Sequence, residues 1–419
     1  MDSLKVCIDA RLVSGNSGGV EQFVIGLATG LSTFVDGSEE YLFLAYDDEK
    51  DWLLPYLNGS CRILDAGKAP VEPLGKRWLK QLFPFISQAW QSLDPLIFRS
   101  EITQKKSNGI IENEGVNVMH FTYQNAFLTD IPNIYHPHDL QHIHLPELFS
   151  ARLRVMRDQM LRAFCEQANM VAVVSSFVKN DLMKHYPLAD GKIKVVPLAP
   201  VVSAYAMPSP EKMSDIQQKF SLPDDFIFYP AQTWPHKNHV GLLRALALIR
   251  DELDTNIKAV FSGRKNQFYD EIAVVVRQLG LENQVFFLGF VSPEELRGLY
   301  GLSKGVVIPT RFEAASFPLW EAYKMEVPVA CSSVTSLPDQ AGDAALLFDP
   351  HNPRDIAMQL YRLWTDEEKR ADLIEKGRKN VLRFSWRQTA KIFRAHYRCI
   401  SERTLTEEDK VLLSSPPIF

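Results

Sequence analysis

The stretch DFIFYPAQTWPHKNHVGLLRALALI, residues 225–249, joins a short apolar run to an amphipathic segment through a polar loop. The apolar run has the length of a buried strand, and the segment after the loop repeats apolar residues at helical spacing. A strand followed by a helix is half of the unit from which parallel α/β sheets are built. The stretch therefore predicts a parallel sheet with helices on its faces.

The same alternation extends to both ends of the chain. Further strands are predicted in the second half at NIKAVFSG (256–263), NQVFFLGF (283–290), GVVIPT (305–310), PVACSS (328–333) and AALLFD (344–349). Those of the first half are LKVCIDA (4–10), YLFLAY (41–46), NVMHF (117–121), NIYHPHD (133–139), MVAVVS (170–175) and KIKVVPL (192–198). Helices are predicted between them, at 20–34, 146–167 and 177–186 among others. We expect two doubly wound, Rossmann-like α/β domains that face each other across a cleft.

The domain limits follow from a change in composition. APVVSAYAMPSPEKM, residues 199–213, is rich in proline, alanine and serine and is typical of a linker. A chain of 419 residues is also long enough for two domains. We predict a first domain at 1–205 and a second domain at 212–385. Residues 386–419 are predicted to form a C-terminal helix that crosses back to the first domain, followed by a tail.

Composition and charge restrict the possible functions. A net charge of -5 gives no general reason to expect nucleic-acid binding. The 5 cysteines are scattered without a C-x-x-C pair, so neither a zinc site nor a disulfide framework is expected, and a reducing cytoplasm is favoured. The amino terminus lacks the pattern of a secretion signal, and no apolar run reaches the roughly twenty residues of a membrane-spanning helix.

Residues 75–93, GKRWLKQLFPFISQAWQSL, mix basic with apolar and aromatic side chains. Such a segment is typical of a helix that lies on an anionic membrane surface, which here would be the inner face. An amphipathic helix packed on its own domain has the same pattern. The sequence leaves both interpretations open.

In open parallel sheets ligands bind beyond the carboxyl ends of the strands. SGNSGGVEQFVIGLA, residues 14–28, follows the first strand, and Gly18 and Gly19 would let the backbone approach a phosphate or a sugar closely. The stretch matches neither G-x-G-x-x-G nor a P-loop. Mere turn geometry would explain these glycines equally well.

Two loops of the second half carry clearer signals. Lys237 precedes a helix that Asn238 is expected to cap, and a lysine at a helix start is unfavourable unless an anion compensates it. We therefore expect Lys237 to bind an anion. After the strand that ends near Phe290, the pattern of Ser292 and Glu295 predicts a capping box.

FEAASFPLWEAYKM, residues 312–325, places Glu313 before a helix expected to begin near Ser316, and Glu321 within that helix. The small side chains at 314–316 would leave the backbone amides of 315–317 open to a ligand. Eight helical positions span roughly 12 Å, so the two carboxylates can contact different parts of one elongated ligand.

Several motifs occur together and in order: HPHDLQHIHLPELFS (136–150), PHKNH (235–239), FLGFVSPEEL (287–296), EAASFPLWE (313–321), EVPVACSSVTSLPDQAGDAALLFDP (326–350) and FSW (384–386). This set resembles the family 4 retaining glycosyltransferases of the GT-B fold. The resemblance runs from the first strand to about residue 400 and is strongest in the second half.

The resemblance implies transfer of a hexose, with mannose favoured, from a nucleoside diphosphate sugar to a glycan or lipid-linked acceptor. It implies retention of the anomeric configuration, with no metal and no cofactor besides the donor, for which guanosine diphosphate mannose is favoured. A double displacement through a side-chain carboxylate stays open. Two alternatives from other classes are a sugar-nucleotide epimerase of the same fold and a non-catalytic regulator that binds sugar nucleotides.

The resemblance also implies that the domain at 1–205 is on the acceptor side and that the domain at 212–385 binds the nucleotide sugar. It further implies roles for single residues. It assigns His138 and Glu313 to the donor sugar as the catalytic pair. It assigns Lys237 to the diphosphate and Glu321 to the ribose. The other residues of the expected donor-binding set are Gly18, Gly19, Arg264, Phe290, Val291, Ser316 and Phe317, of which Phe290 and Val291 would hold the base.

This sequence departs from the family pattern at two places. Gln232 stands where an arginine is usual, and Arg264, after the next strand, is the candidate that would supply the missing charge. The usual E-G-F-G is replaced by EAAS, which puts Ser316 in place of a glycine next to the donor. Neither departure changes the expected class of reaction.

The histidines at 136, 138, 142 and 144 cluster within a short stretch. His136 and His138 alternate as they would on one face of a strand, but apart from Asp139 no carboxylate or cysteine nearby completes a conventional ligand set. No metal site is predicted there. His142 and His144 are expected to line the loop.

Overall fold

The computed structural model describes residues 3–15, 18–70 and 105–418. The chain divides into two compact units. The first consists of Met1–Val174, Val178–Val196 and Ala390–Pro416, and the second of Ser175–Phe177, Pro197–Thr389 and Pro417–Phe419. The stretch at 75–93, for which a membrane surface was considered, lies outside the described residues.

The first unit contains a seven-stranded sheet in the order β3-β2-β1-β4-β5-β6-β7. Its strands are β1 Leu4–Asp9, β2 Glu39–Ala45, β3 Cys61–Asp65, β4 Val118–Phe121, β5 Asn133–Tyr135, β6 Met170–Val173 and β7 Ile193–Val195. The second unit contains a six-stranded sheet in the order β10-β9-β8-β11-β12-β13. Its strands are β8 Ile227–Pro230, β9 Ala259–Ser262, β10 Val285–Gly289, β11 Gly305–Ile308, β12 Val329–Ser332 and β13 Ala345–Phe348.

All the strand pairings of the described residues are parallel, as the sequence predicted. The central strands are buried along their whole length, for example β4, β6 and β11. Burial on both faces explains why these segments are continuous apolar runs rather than alternating ones. The predicted fold class, two Rossmann-like α/β domains, is therefore confirmed.

Helices follow most of the strands. They are α1 Gly19–Leu31, α2 Ile110–Asn113, α3 Gln141–His144, α4 Ala151–Gln167, α5 Ser176–His185, α6 Pro210–Lys219, α7 His239–Leu253, α8 Tyr269–Gln278, α9 Pro293–Leu302, α10 Phe317–Lys324, α11 Leu337–Ala341, α12 Pro353–Thr365, α13 Glu367–Val381, α14 Trp386–Ile400 and α15 Glu407–Ser414. None of the helices in the described ranges is long and apolar enough to cross a bilayer.

Several elements of the described residues differ from the sequence-based prediction. Strand β3 and helix α15 were not predicted. Helix α4 begins at Ala151 rather than at residue 146, because Ser150 caps it by accepting a hydrogen bond from the backbone NH of Leu153 (3.2 Å). Strand β5 ends at Tyr135, so His136 and His138 lie in the loop beyond it. The backbone of His138 has a φ of 62°, which is incompatible with a strand.

The strand order reverses between β8 and β11 in the second sheet, and these two strands pair directly. Such a reversal opens a crevice beyond the carboxyl ends of the two strands, because the helices that follow them leave on opposite faces of the sheet. The loops after β8 and β11 carry Lys237 and Glu313. The fold thus places two of the predicted site residues at a position where α/β sheets bind ligands.

The end of helix α14 belongs to the core of the first unit. Tyr397 and Phe393 are fully buried, and the Tyr397 hydroxyl lies 2.7 Å from Nδ1 of His120 on β4. Arg398 is held by two buried carboxylates: its Nε donates to Glu39 (2.6 Å) and its Nη1 donates to Asp409 of α15 (2.8 Å). These bonds fix α14 and α15 to the amino-terminal part of the chain.

We expect Arg398→Ala to destabilise the protein by about 3–5 kcal/mol, because it leaves two buried carboxylates without their cation. The matched control is Arg62→Ala in the same unit, whose side chain is 47% exposed beside Glu40 and Glu114. Exposed ion pairs contribute little, so the control should cost less than about 1 kcal/mol. Urea unfolding followed by fluorescence measures both, and equal losses would contradict the structural role of Arg398.

Candidate active site

The loops after β8, β9 and β10 are joined into one surface by backbone hydrogen bonds. The amide of Ala231 donates to Ser262 (2.9 Å), and that of Gly263 donates to Gly289 (2.8 Å). Gly263 has a φ of 124°, and a Cβ built there would lie 2.6 Å from the backbone carbon of Ala231. Only glycine permits this approach, so the position of the loops depends on it.

Lys237 and Glu313 form an ion pair with each other. Lys237 lies in the 3-10 turn Pro235–Lys237, and its carbonyl accepts a hydrogen bond from the hydroxyl of buried Tyr229 (2.9 Å). The Lys237 side chain is 23% exposed and that of Glu313 is 11% exposed. The sequence assigned these residues to different parts of a ligand, and the structure makes them direct neighbours.

The histidines beside Lys237 are neutral at physiological pH. Burial, with the positive charges of Lys237 and Arg311 nearby, lowers the pKa of His236 to about 2. Burial and Lys237 lower the pKa of His239 to about 3. Of these three side chains, only Lys237 therefore carries a positive charge.

Asn238 does not cap helix α7 within the described structure, contrary to the sequence-based expectation. Its backbone is left-handed, with a φ of 58°, and its side chain lies beside Gly241 in the first turn of the helix. The side-chain amide instead donates to the carbonyls of Pro309 and Pro350, at 2.9 Å each. Asn238 thereby ties the Lys237 turn to the end of β11.

The backbone of Glu313 is held by the loop after β12. Its amide donates to Oγ1 of Thr335 (3.1 Å), and its carbonyl accepts from the hydroxyl of Ser336 (3.0 Å). Strands β11 and β12 pair directly, which brings the two loops together. The sequence analysis missed Thr335 and Ser336, and no local motif marks them because they act from more than twenty positions away.

Ser316 occupies the N-cap position of α10 but makes no capping hydrogen bond within the described residues. Its amide donates to Oε1 of Gln340 (2.8 Å), and its carbonyl accepts from Nε2 of the same side chain (2.7 Å). This amide was expected to be open to a ligand, and Gln340 occupies it instead. Phe317 is 7% exposed and its ring stacks on Trp386 at 6.4 Å, so its side chain belongs to the core.

Glu321 is the most deeply buried of the predicted site residues in this unit, at 1% exposure. Its Oε2 accepts a hydrogen bond from the hydroxyl of Tyr300 on α9 (2.7 Å). Burial and the Glu321 charge raise the pKa of Tyr300 well above its usual range, so the phenol stays a donor. Tyr300 thus fixes the orientation of a carboxylate that can accept hydrogen bonds from ligand hydroxyls.

The turn after β10 has the capping box that the sequence predicted. Oγ of Ser292 accepts from the amide of Glu295 (3.2 Å), and the amide of Ser292 donates to the Glu295 carboxylate (2.8 Å). Phe290 is 59% exposed just before this box, while Val291 is buried. The guanidinium of Arg264 lies 5.9 Å from the centre of the Phe290 ring.

Gln232, which stands where the family usually has an arginine, lies in the loop after β8. Its Oε1 accepts a hydrogen bond from the indole NH of Trp234 (2.8 Å), a side chain that is 42% exposed. The loop is bonded to the one that carries Arg264, because the amide of Thr233 donates to the Arg264 carbonyl (3.4 Å). Arg264 therefore belongs to the same loop surface as Gln232 and Phe290.

The remaining predicted residues lie in the first unit. Nε2 of His138 is 2.6 Å from the carbonyl of Thr122, which can only accept, so Nε2 carries the proton. Burial lowers the pKa of His138, and its Nδ1 is then a hydrogen-bond acceptor. Gly18 and Gly19 are exposed at the start of α1, and Gly18 has a φ of 50°.

Two family models match the chain. "Glycosyltransferase Family 4" matches residues 17–199, and "Glycosyl transferases group 1" matches residues 212–380. The first range includes β2 to β7 and the second includes β8 to β13, whereas β1 and α14 lie outside both ranges.

Curated relatives carry similar descriptions. The chain is 29% identical to the O-antigen chain mannosyltransferase B of Escherichia coli over 61% of this chain and 70% of the relative. It is 28% identical to the E. coli serotype-specific mannosyltransferase WbdA over 54% of this chain, but it spans only 28% of the length of WbdA. A D-inositol 3-phosphate glycosyltransferase of Corynebacterium glutamicum (strain R) is 27% identical over 55% of this chain and 58% of its own length.

Solved structures share the fold at low identity. A sucrose-phosphate synthase of Thermosynechococcus elongatus superimposes with a TM-score of 0.69 at 17% identity, over 95% of this chain and 99% of that one. The lipopolysaccharide glycosyltransferase WaaG gives a TM-score of 0.64 at 13% identity, over 94% of this chain and 99% of that one. With two parallel α/β units and a match to a glycosyltransferase family model in each, this chain belongs to family 4 of the glycosyltransferases and has the GT-B fold.

Proposed function

We propose that this protein transfers a hexose, with mannose favoured, from a nucleoside diphosphate sugar to a glycan or lipid-linked acceptor, with retention of configuration and without a metal. The observation that carries the proposal is the pairing of Lys237 with Glu313 at the strand-order reversal, with Glu321 on the helix that follows. The descriptions of the E. coli relatives support mannose and a polysaccharide product.

Lys237 is assigned to the diphosphate. Departure of a nucleoside diphosphate leaves negative charge on the β-phosphate, which a preorganised ammonium stabilises without reorganisation at the moment of reaction. Tyr229 and Asn238 hold the turn that carries this ammonium. Because Glu313 pairs with Lys237, a bound diphosphate would share the lysine with that carboxylate or take it over.

Glu313 is assigned to the hydroxyls of the donor sugar and Glu321 to those of the ribose. Both carboxylates accept hydrogen bonds, and both are oriented by neighbours, Lys237 for Glu313 and Tyr300 for Glu321. Phe290 and Val291 are assigned to the base, for which guanine is favoured. Gly18, Gly19 and Arg264 complete the proposed donor-binding set. Ser316 and Phe317 are left out of it, because Gln340 occupies the Ser316 amide and the Phe317 ring lies in the core.

His138 is assigned to the donor sugar as well. Its unprotonated Nδ1 can accept a hydrogen bond from a sugar hydroxyl, because Nε2 donates to Thr122. In the proposed retaining reaction the acceptor oxygen attacks from the face that the diphosphate leaves. The acceptor's proton passes to the departing phosphate, which needs no side-chain nucleophile.

The first test is a donor panel: full-length protein is incubated with guanosine and uridine diphosphate sugars, and release of the nucleoside diphosphate is measured. We expect the largest release from guanosine diphosphate mannose, together with a glycosylated acceptor. Interconversion of the sugar without transfer would favour the epimerase. Binding without any turnover would favour the non-catalytic regulator.

The two glutamates should be separable by mutation. We expect Glu321→Gln to weaken binding of both the bare nucleoside diphosphate and the sugar donor, because the ribose is common to both. Glu313→Gln should leave nucleoside diphosphate affinity within a few-fold, because the bare nucleotide lacks the sugar to which Glu313 is assigned. Turnover should fall in this variant by about 2–4 kcal/mol in the barrier, or roughly 30- to 900-fold.

Calorimetry and initial rates measure the two effects on the same variants. The matched control is Glu326→Gln, whose carboxylate is 53% exposed and pairs with Arg378. It should keep both affinity and turnover. An equal loss of nucleotide affinity in the Glu313 and Glu321 variants would mean that both carboxylates support the fold rather than bind separate groups.

Metal independence is tested with a chelator. Because Lys237 and backbone amides would supply the charge that stabilises the diphosphate, we expect EDTA-treated protein to keep its rate within about twofold. Added Mn²⁺ or Mg²⁺ should not raise that rate. Loss of activity that Mn²⁺ restores would show that the proposed mechanism is wrong on this point.

We also propose peripheral contact with an anionic membrane through residues 75–93, at the cytoplasmic face. The basic and apolar side chains of this stretch would bind acidic headgroups and the interface beneath them. Protein should then cosediment with phosphatidylserine vesicles and be released as salt is raised. Cosedimentation that is indifferent to lipid charge would contradict the proposal.

A further inference from the structure

Three side chains with metal-binding atoms meet in the first unit, outside the set described above. His144 lies at the end of α3, and Asp181 and His185 lie on α5. Residues four apart in a helix share a face, which is why the last two side chains project together. The ligand atoms of the three residues all lie within 4.8 Å of one another.

The two imidazoles approach the two oxygens of one carboxylate. Nε2 of His144 is 2.7 Å from Oδ2 of Asp181, and Nε2 of His185 is 3.5 Å from Oδ1. The two rings are nearly perpendicular, at 87° with centroids 6.0 Å apart, so their nitrogens converge from different directions. Metal bonds of about 2.0–2.2 Å in a tetrahedral arrangement place ligand atoms roughly 3–3.5 Å apart. The separation of His185 from Asp181 lies in this range, whereas that of His144 is the length of a hydrogen bond and would have to widen around an ion.

Burial gives a second reason to expect an ion. The Asp181 side chain is only 6% exposed, and a carboxylate is costly to bury unless positive charge or hydrogen bonds compensate it. Nε2 of His185 is also buried, and no hydrogen bond from the described part of the chain reaches it. Buried side-chain nitrogen atoms without a hydrogen-bond partner are uncommon in native proteins. A cation between the three groups would give Nε2 of His185 a partner, and it would add positive charge beside Asp181, which already has the hydrogen bond with His144.

We propose that His144, Asp181 and His185 bind a divalent transition-metal ion, with Zn²⁺ as the best match. Two imidazole nitrogens and one carboxylate oxygen suit Zn²⁺ and its neighbours in the first transition row, whereas Mg²⁺ and Ca²⁺ prefer oxygen alone. His144 is 33% exposed, which leaves an entry path and room for water as the fourth ligand.

The ion would join two elements that follow different strands. Helix α3 comes after β5, at the end of the loop that contains His138, and α5 comes after β6. An ion held by both would link α3 to α5 outside the proposed sugar site, and the transfer reaction proposed above needs no ion there. This inference does not rest on glycosyl transfer, and it departs from the expectation that His144 only lines the loop.

The test is calorimetric titration of Zn²⁺ into the full-length, tag-free, chelator-treated protein. We expect one site of micromolar affinity or tighter. Even the loss of a residue that only supports a ligand costs about 10- to 100-fold in metal affinity, so His144→Gln and His185→Gln should each lose at least about 100-fold. The matched control is His351→Gln, an exposed histidine of the second unit, which should bind as the unchanged protein does.

A second measurement needs no variant. X-ray absorption at the zinc edge of the loaded native protein should show two imidazoles and oxygen ligands, with bonds of about 2.0–2.2 Å. Sulfur in the shell would assign the ion to a cysteine and overturn the proposal. It would also be overturned if native protein bound Zn²⁺ no more tightly than the His144→Gln/His185→Gln double variant.

Discussion

Strands β8 and β11 pair directly in the middle of the second sheet, so the loops at their carboxyl ends lie side by side. That adjacency brings the Lys237 ammonium to the Glu313 carboxylate although the two residues are far apart in the sequence. Neither side chain is well exposed, and each would be costly to keep there alone. Much of what surrounds the pair serves to hold its two loops in place.

Three polar side chains hold these loops in place by hydrogen bonds to their backbone. Asn238 bonds to two carbonyls of neighbouring loops, Thr335 fixes the backbone of Glu313, and Gln340 occupies both the amide and the carbonyl of Ser316. Each satisfies backbone groups that would otherwise be buried without partners in irregular loops. The loops that carry the charged pair therefore satisfy these backbone groups with hydrogen bonds to side chains of the protein itself.

The sequence was sufficient for the class of fold because the apolar runs of β4, β6 or β11 have the length and continuity that a strand buried on both faces requires. It also predicted the Ser292 capping box, whose signal is entirely local. The sequence analysis failed where the hydrogen-bond partner of a residue is distant in the sequence. Asn238 has the right residue type for a cap, but its left-handed backbone and its partners at 309 and 350 are set by the sheet.

The same reason explains the other misses. Tyr300 precedes Glu321 by twenty-one positions and is recognisable as its partner only once α9 and α10 have packed on the sheet. The sequence analysis considered His144 as a metal ligand only together with the histidines next to it in the sequence. Its neighbours in space are Asp181 and His185 on a later helix. Strand β3 was not recognised because CRILD has charged residues at two of its five positions, as the edge strand of a sheet can.

The close approach at Gly263 affects how this loop surface can vary between related proteins. Any other residue there would push the loop after β9 away from Ala231. Packing therefore disfavours every substitution of this glycine, whatever ligand the protein binds. Gln232, Arg264 and Phe290 lie on the same surface, yet their side chains carry no comparable steric limit, since Arg264 and Phe290 are exposed. Substitutions can therefore accumulate at Arg264 and Phe290 while the glycine keeps the backbone beneath them constant.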